Sequence, residues 1–122
     1  MIRRVGWAAA FLLCWSANLV SVERVIDGDT FVAELGLWPK LIVTETIRVL
    51  GVDTPERSEI GPWALARGFT AQWLASAGPV TVTVCKLDSF GRALGRVVSP
   101  AQGELAAALI VAGHGRVYER GK

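Results

Sequence analysis

Cysteine and histidine are nearly absent from this 122-residue chain, which has two of the first, Cys14 and Cys85, and one of the second, His114. That count excludes a disulfide scaffold. It leaves no His/Cys cluster with zinc spacing, so any metal held here is a hard ion bound through oxygen. Surplus charge is lacking as well. The formal net charge is +2, and Arg3 and Arg4 account for it, so residues 21–122 carry eleven basic and eleven acidic side chains. A broad cationic face holding nucleic acid by bulk charge is thereby excluded, and anion binding has to come from locally placed residues. There is no internal repeat and no low-complexity tract. The 122 residues leave room for one domain, so a site built between two domains within them is excluded too.

Long hydrophobic runs are also missing. Met1-Ile2-Arg3-Arg4 followed by Val5 to Trp15 has the charged start and apolar stretch of a secretory signal. It falls short of the roughly 20 apolar residues of a membrane span, and Ser16 and Asn18 interrupt it. Three readings stay open: a signal peptide cut after Ala17, an uncleaved membrane anchor over residues 5–20, and a buried N-terminal helix. Export is the leading one. It implies a secreted or cell-envelope protein that touches the membrane in transit. Residues 1–20 are therefore set apart, and residues 21–122 are treated as the domain. Cys85, ending the alternation Val80 to Cys85 with no base nearby, is expected to be an inert strand residue.

What is present is a series of short β-patterned segments separated by turn chemistry. Val22 to Ile26 alternates imperfectly and stops at Asp27-Gly28-Asp29-Thr30, and Phe31 to Leu35 resumes, which predicts a hairpin with Asp27 and Asp29 near its tip. Gly36 to Lys40 reads as a loop, and Leu41 to Val52 as a β-branched stretch stopped at Asp53-Thr54-Pro55. Gly61-Pro62 opens a helix with Trp63, Ala66, Phe69, Thr70, Trp73, Leu74 and Ala77 on one stripe, closed by Gly78-Pro79. Trp63 and Trp73 at that spacing are expected in the core rather than as a platform for bases. Val80 to Leu87 and Ala93 to Val98 form a second hairpin, and a short helix runs from Glu104 to Gly113, with His114 at its end. The fold expected is mainly β with helices (α+β), five strands and two helices, as in the partly open oligonucleotide-binding barrel.

Charge is unevenly distributed along this plan. Residues 21–60 hold eight acids against four bases, and residues 61–122 hold seven bases against three acids. Carboxylates of the first half suit a cation and arginines of the second an anion. Asp29 and Asp53 each follow a strand end beside a turn, with Glu56 three residues beyond. Two such carboxylates and a backbone carbonyl would leave positions on a calcium ion for phosphate and water.

Three blocks resemble the signatures of the staphylococcal nuclease family: Val25-Ile26-Asp27-Gly28-Asp29-Thr30, Ile47 to Glu56 and Asp88-Ser89-Phe90-Gly91-Arg92-Ala93-Leu94. Their order and spacing fit, from about Val22 to Tyr118. The resemblance implies the five-stranded barrel of that family and a calcium-dependent nuclease acting on DNA and RNA with little sequence preference. It implies cleavage at the 5′ P–O bond, leaving 3′-phosphate ends, and a monomer. By the same resemblance Asp29, Asp53 and the carbonyl of Thr54 hold Ca2+. Arg48 and Arg92 clamp the phosphate, and Glu56 positions or deprotonates the attacking water. Phe90 stands where the family usually has tyrosine, keeping stacking and losing a phenolic hydrogen bond. Ser89 replaces a common lysine, for which Lys86 is the candidate substitute, and Arg116 and Tyr118 are candidates for the nucleotide groove. The rivals are a non-catalytic module of the same fold that binds nucleic acid or protein, and a calcium-stabilised structural domain.

Overall fold

The computed structural model describes residues 14–38 and 40–118. Strands β1 (Trp15–Asp27), β2 (Thr30–Trp38) and β3 (Leu41–Val49) form an antiparallel meander, followed by the short β4 (Val52–Asp53). Helix α1 (Ile60–Ser76) leads to the hairpin of β5 (Thr81–Leu87) and β6 (Ala93–Ser99). Then come β7 (Gly103–Glu104), helix α2 (Leu105–Val111) and β8 (Arg116–Val117). In space the strands run β3-β2-β1-β5-β6-β7, and a parallel contact of β3 with β6 joins the ends of the five long strands. The result is a closed five-stranded barrel with two helices, the oligonucleotide-binding type of architecture.

Closure depends on β1, which must serve two neighbours. Three register shifts against β2, between Leu19 and Ser21, Val22 and Arg24, and Val25 and Asp27, coil the strand, as extra residues do wherever a sheet curls into a barrel. Its first four residues, Trp15 to Asn18, then pair with Val84 to Thr81 of β5. Residues 15–20 therefore belong to the barrel, although their composition groups them with the leader; residues 1–13 lie outside the described part. The cysteine reading is corrected likewise. Cys14 and Cys85 form a disulfide across 71 positions, tying the start of β1 to β5. An apolar run looks the same to composition whether it is a leader or a doubly paired strand, and a pairing at that separation leaves no local trace.

Other boundaries moved less. β2 continues through Trp38, where a loop was expected from Gly36. The stretch to Val52 is broken at Leu50-Gly51, where Gly51 takes φ 91° and starts the separate β4. The core is built from Phe31 and Leu35 of β2, Ile47 and Val49 of β3, and Val82, Val84 and Val97 of the second hairpin. Trp73 and Leu74 of α1 and Leu105 and Leu109 of α2 plug it. Trp63 is an exception to the expected stripe, being only half-buried at the edge.

Candidate active site

Three features of the fold bring distant stretches to one end of the barrel. The β1–β2 turn carries Asp29, and Gly28 beside it packs so closely on α1 that an added Cβ would lie 2.8 Å from Ala66 Cβ and 3.0 Å from Thr54 Cγ2. Only glycine fits there without displacing the helix. The Thr70 hydroxyl donates to the Gly28 carbonyl at 2.5 Å, fixing turn and helix together. Secondly, Thr30 pairs with Arg48 across β2 and β3, so the arginine emerges beside Asp29. Thirdly, the parallel seam sets Ile47 opposite Ala93 and Arg48 opposite Leu94, which brings Arg92, just before β6, to the stretch of β3 that carries Arg48.

Asp29 is 5% exposed. A buried carboxylate needs partners, and each oxygen has one: Oδ1 accepts from the Thr30 hydroxyl at 2.8 Å and Oδ2 from the Thr54 backbone N–H at 3.0 Å. Arg48 completes the group. Its Nη1 donates to the carbonyls of Val49 and Val52, each at 2.8 Å. Its Nη2 lies 3.4 Å from both Asp29 Oδ2 and Asp53 Oδ1. One nitrogen thus bridges the two carboxylates. Asp53 Oδ2 also faces Arg116 at 3.5 Å, a contact with an exposed side chain that contributes little to stability.

These residues open into a cleft of about 380 Å³ that Glu56, Asp88, Phe90, Arg92 and Tyr118 also line. Arg92 stands above the Phe90 ring, 5.3 Å from its centroid, and Arg48 above Tyr118 at 5.5 Å. Phe90 is 79% exposed, a large apolar surface at the mouth. Glu56 is exposed, and its carboxylate has no hydrogen bond or ion pair among the described residues. A second cleft, of about 360 Å³, lies against the Asp53–Glu56 segment from the side of Glu59, His114 and Arg116. His114 itself is a helix-end residue: its N–H donates to the Leu109 carbonyl at 2.9 Å and its ring packs on Phe69.

Nine of the ten residues expected at the site line one or both clefts, Arg116 through its contact with Asp53. Lys86 does not. The register shift between Val84 and Lys86 takes it out of the inward series of Val80, Val82 and Val84 and leaves it exposed, outside the lining of both clefts. Tyr118 is held by the short ladder of β4 and β8, in which Val52 pairs with Val117 and Asp53 with Arg116, and by its own N–H on the Gly51 carbonyl at 3.1 Å. That ladder needs Gly115, where a Cβ would come 2.6 Å from Val52 Cγ2.

Asp88 was missed as a site residue. Its Oδ1 accepts the backbone N–H groups of Phe90 and Arg92, both at 2.9 Å, and its Oδ2 accepts Arg92 Nε at 2.7 Å. Burial pushes this carboxyl up, but the Arg92 and Phe90 hydrogen bonds and the Arg92 charge outweigh it and hold the group below its usual range. An Asp followed by Gly three residues later and Arg four residues later was the available signal, since aspartate side chains cap turns of this kind. Asp27 was noticed at the tip but given no partner; its Oδ1 accepts the Trp63 indole N–H at 2.7 Å.

Whether the oxygens fit a hard cation follows from their chemistry. Asp29 and Asp53 share one cationic nitrogen as neighbour, so a positive charge between them is already favoured. Each carboxylate keeps lone pairs beyond the bonds it accepts. Thr54, next to both, has a buried hydroxyl with no partner, the kind of unsatisfied group that marks a place for water or an ion. The donor set is all oxygen, as calcium requires. It fits.

Residues 46–122 match the family described as staphylococcal nuclease homologue. The chain is also 33% identical over 115 residues to an "Uncharacterized endonuclease" of Escherichia coli O157:H7, a match covering 90% of this chain and 70% of the relative. An Escherichia coli protein of the same name matches equally. The chain belongs to the staphylococcal nuclease homologue family.

Proposed function

We propose that the protein is a nuclease that hydrolyses phosphodiester bonds in DNA and RNA with calcium as cofactor, cleaving the 5′ P–O bond and leaving 3′-phosphate ends. The observation that carries this reading is the convergence of two carboxylates, Asp29 and Asp53, and two arginines, Arg48 and Arg92, on one cleft. A phosphodiester anion repels the nucleophile, so its charge must be offset before attack. Asp29, Asp53 and the Thr54 carbonyl would hold the ion, which when bound supplies positive charge to a phosphate oxygen.

The protein's own groups divide the remaining work. Arg92 uses Nε on Asp88 and keeps both terminal nitrogens for phosphate oxygens, a forked geometry that lysine lacks. Arg48 is differently placed, with both terminal nitrogens engaged by protein oxygens. With the Asp29 and Asp53 carboxylates otherwise satisfied, its Nη2 would be free to turn to a phosphate oxygen. Glu56, unpartnered at the rim, orients a water and accepts its proton as the oxygen attacks phosphorus; the bond to the 5′ oxygen breaks with its electron pair on that oxygen, which takes up a proton from solvent. Contacts to phosphate and to the faces of Phe90 and Tyr118 give little sequence preference. We also propose a secreted or cell-envelope location, which the Cys14–Cys85 disulfide supports, because such bonds persist in oxidising compartments.

The test is incubation of the full chain with single-stranded DNA and with RNA, in calcium or in chelator. Fragments ending in 3′-phosphate in calcium, and none in chelator, are expected. Retention of nucleic acid without cutting would replace the enzyme by a binding module. A melting temperature raised by calcium with neither cutting nor binding would leave a structural domain.

A further inference from the structure

Seven arginines lie among the described residues, and five of them, Arg24, Arg48, Arg92, Arg96 and Arg116, are in ion pairs. Arg57 and Arg67 are in none, and both lean on the same ring: their guanidinium carbons lie 5.1 Å and 5.5 Å from the Trp63 centroid. The ring quadrupole attracts each of them but neutralises neither charge. Asp27, the acid beside that ring, accepts the indole N–H at 2.7 Å and forms no ion pair with either arginine. The indole is pinned further by the Ile26 carbonyl at 3.2 Å, and Arg67 by Nε on the Val25 carbonyl at 2.8 Å. Two surface cations gathered on one ring, without an ion-pair partner among the described residues, offer a local anion site on a domain whose charges otherwise balance.

We infer that Arg57, Trp63 and Arg67 form a second phosphate-binding surface that takes the nucleic-acid strand flanking the bond held in the cleft. The inference rests on the nuclease reading for the identity of the ligand. Continuity supports it, because Arg57 lines the active cleft and Arg67 borders the next groove along α1, together with Arg24. A strand leaving the cleft past Arg57 meets Arg67 next. The indole carries the two guanidinium groups and so positions charge rather than stacking on bases, which directs the surface to the strand's backbone and makes it indifferent to sequence.

The experiment measures binding by fluorescence anisotropy in chelator, across a salt series, for a single-stranded DNA of about twenty nucleotides and for a dinucleotide. For Arg57→Gln with Arg67→Gln, the slope of log affinity against log salt for the long strand should become shallower by about 1.4, at roughly 0.7 for each single-strand phosphate no longer neutralised. The affinity should fall further for the long strand than for the dinucleotide. Arg67→Lys, which keeps the charge, should restore half of the change in the presence of Arg57→Gln. An unchanged slope in a variant that melts like the parent would overturn the surface, as would equal losses for both ligands. If the parent protein binds the long strand with the expected slope yet cuts nothing in calcium, the nuclease reading fails and the surface stands.

Discussion

Replacing Asp88 by asparagine separates the shape of the second hairpin turn from the aim of the arginine it holds. Asparagine keeps an oxygen for the N–H groups of Phe90 and Arg92, both at 2.9 Å in the parent, so the turn persists. The bond from Arg92 Nε to Oδ2, 2.7 Å long, does not survive, because an amide NH₂ donates where a guanidinium also donates. A hydrogen bond between charged groups contributes about 1.5–3 kcal/mol, and with Arg92 31% exposed the lower end applies to stability. For turnover the ceiling is the full removal of one donor to developing charge, about 2.7–4 kcal/mol. A freed but tethered Arg92 should sacrifice part of that, so kcat should fall roughly tenfold with KM changed little. Acid supplies the control. Asp88 is held below its ordinary value of 3.8, so the stability it adds is complete above that value and is lost as pH falls through the folded-state value. The gap in melting temperature between parent and D88N, clear at neutral pH, should narrow as the pH falls below 3.8 and close once Asp88 is protonated in the folded protein too. A kcat within twofold of the parent, with the stability gap present, would reduce Asp88 to a turn cap and refute its role in aiming Arg92.

Further outcomes concern the neighbouring parts. Arg92→Ala should lower turnover by about a hundredfold or more, read in the same oligonucleotide assay. Glu56→Gln should leave calcium affinity nearly intact by calorimetry while slowing hydrolysis; an equal loss of both would make Glu56 a ligand. Gly115→Ala forces a methyl group to 2.6 Å from Val52 Cγ2, an overpacking worth about 1–3 kcal/mol in denaturant melts, and should weaken substrate binding by displacing Tyr118. Replacing Cys14 and Cys85 with serine should cost about 2–4 kcal/mol in the same melts, the usual worth of a disulfide. A reductant should then have no additional effect.

Much of the barrel was legible because its strands are rich in β-branched residues, in part alternating, and its turns carry Asp-Gly, Gly-Pro or Pro, so composition and punctuation agree. The carboxylates and arginines were legible through block resemblance, and physical logic assigned them compatible charges. Besides Asp88 and the Cys14–Cys85 disulfide, other features escaped. The opening of β1 escaped because Trp15 to Val20 extends a stretch composed like a signal's apolar region. Trp63 and Trp73 share one helical stripe, yet Trp73 is 6% exposed and Trp63 is not buried; only the tertiary position of the helix relative to Asp27 separates them. Lys86 was misplaced because a single bulge reverses the side on which every later residue of a strand emerges, and nothing in the local residues announces one.

The parallel seam between β3 and β6 is three pairs long, from Ile47 with Ala93 to Val49 with Gly95, and it is what places Arg48 and Arg92 at one cleft. The shortest ladder between the barrel's long strands is thus also the one that aligns the two arginines proposed to bind phosphate. A brief parting along that line, far smaller than melting, would carry the two guanidinium groups out of their shared cleft. Inactivation on warming should therefore run ahead of the loss of ellipticity, making enzymatic output a gauge of whether the cylinder is shut.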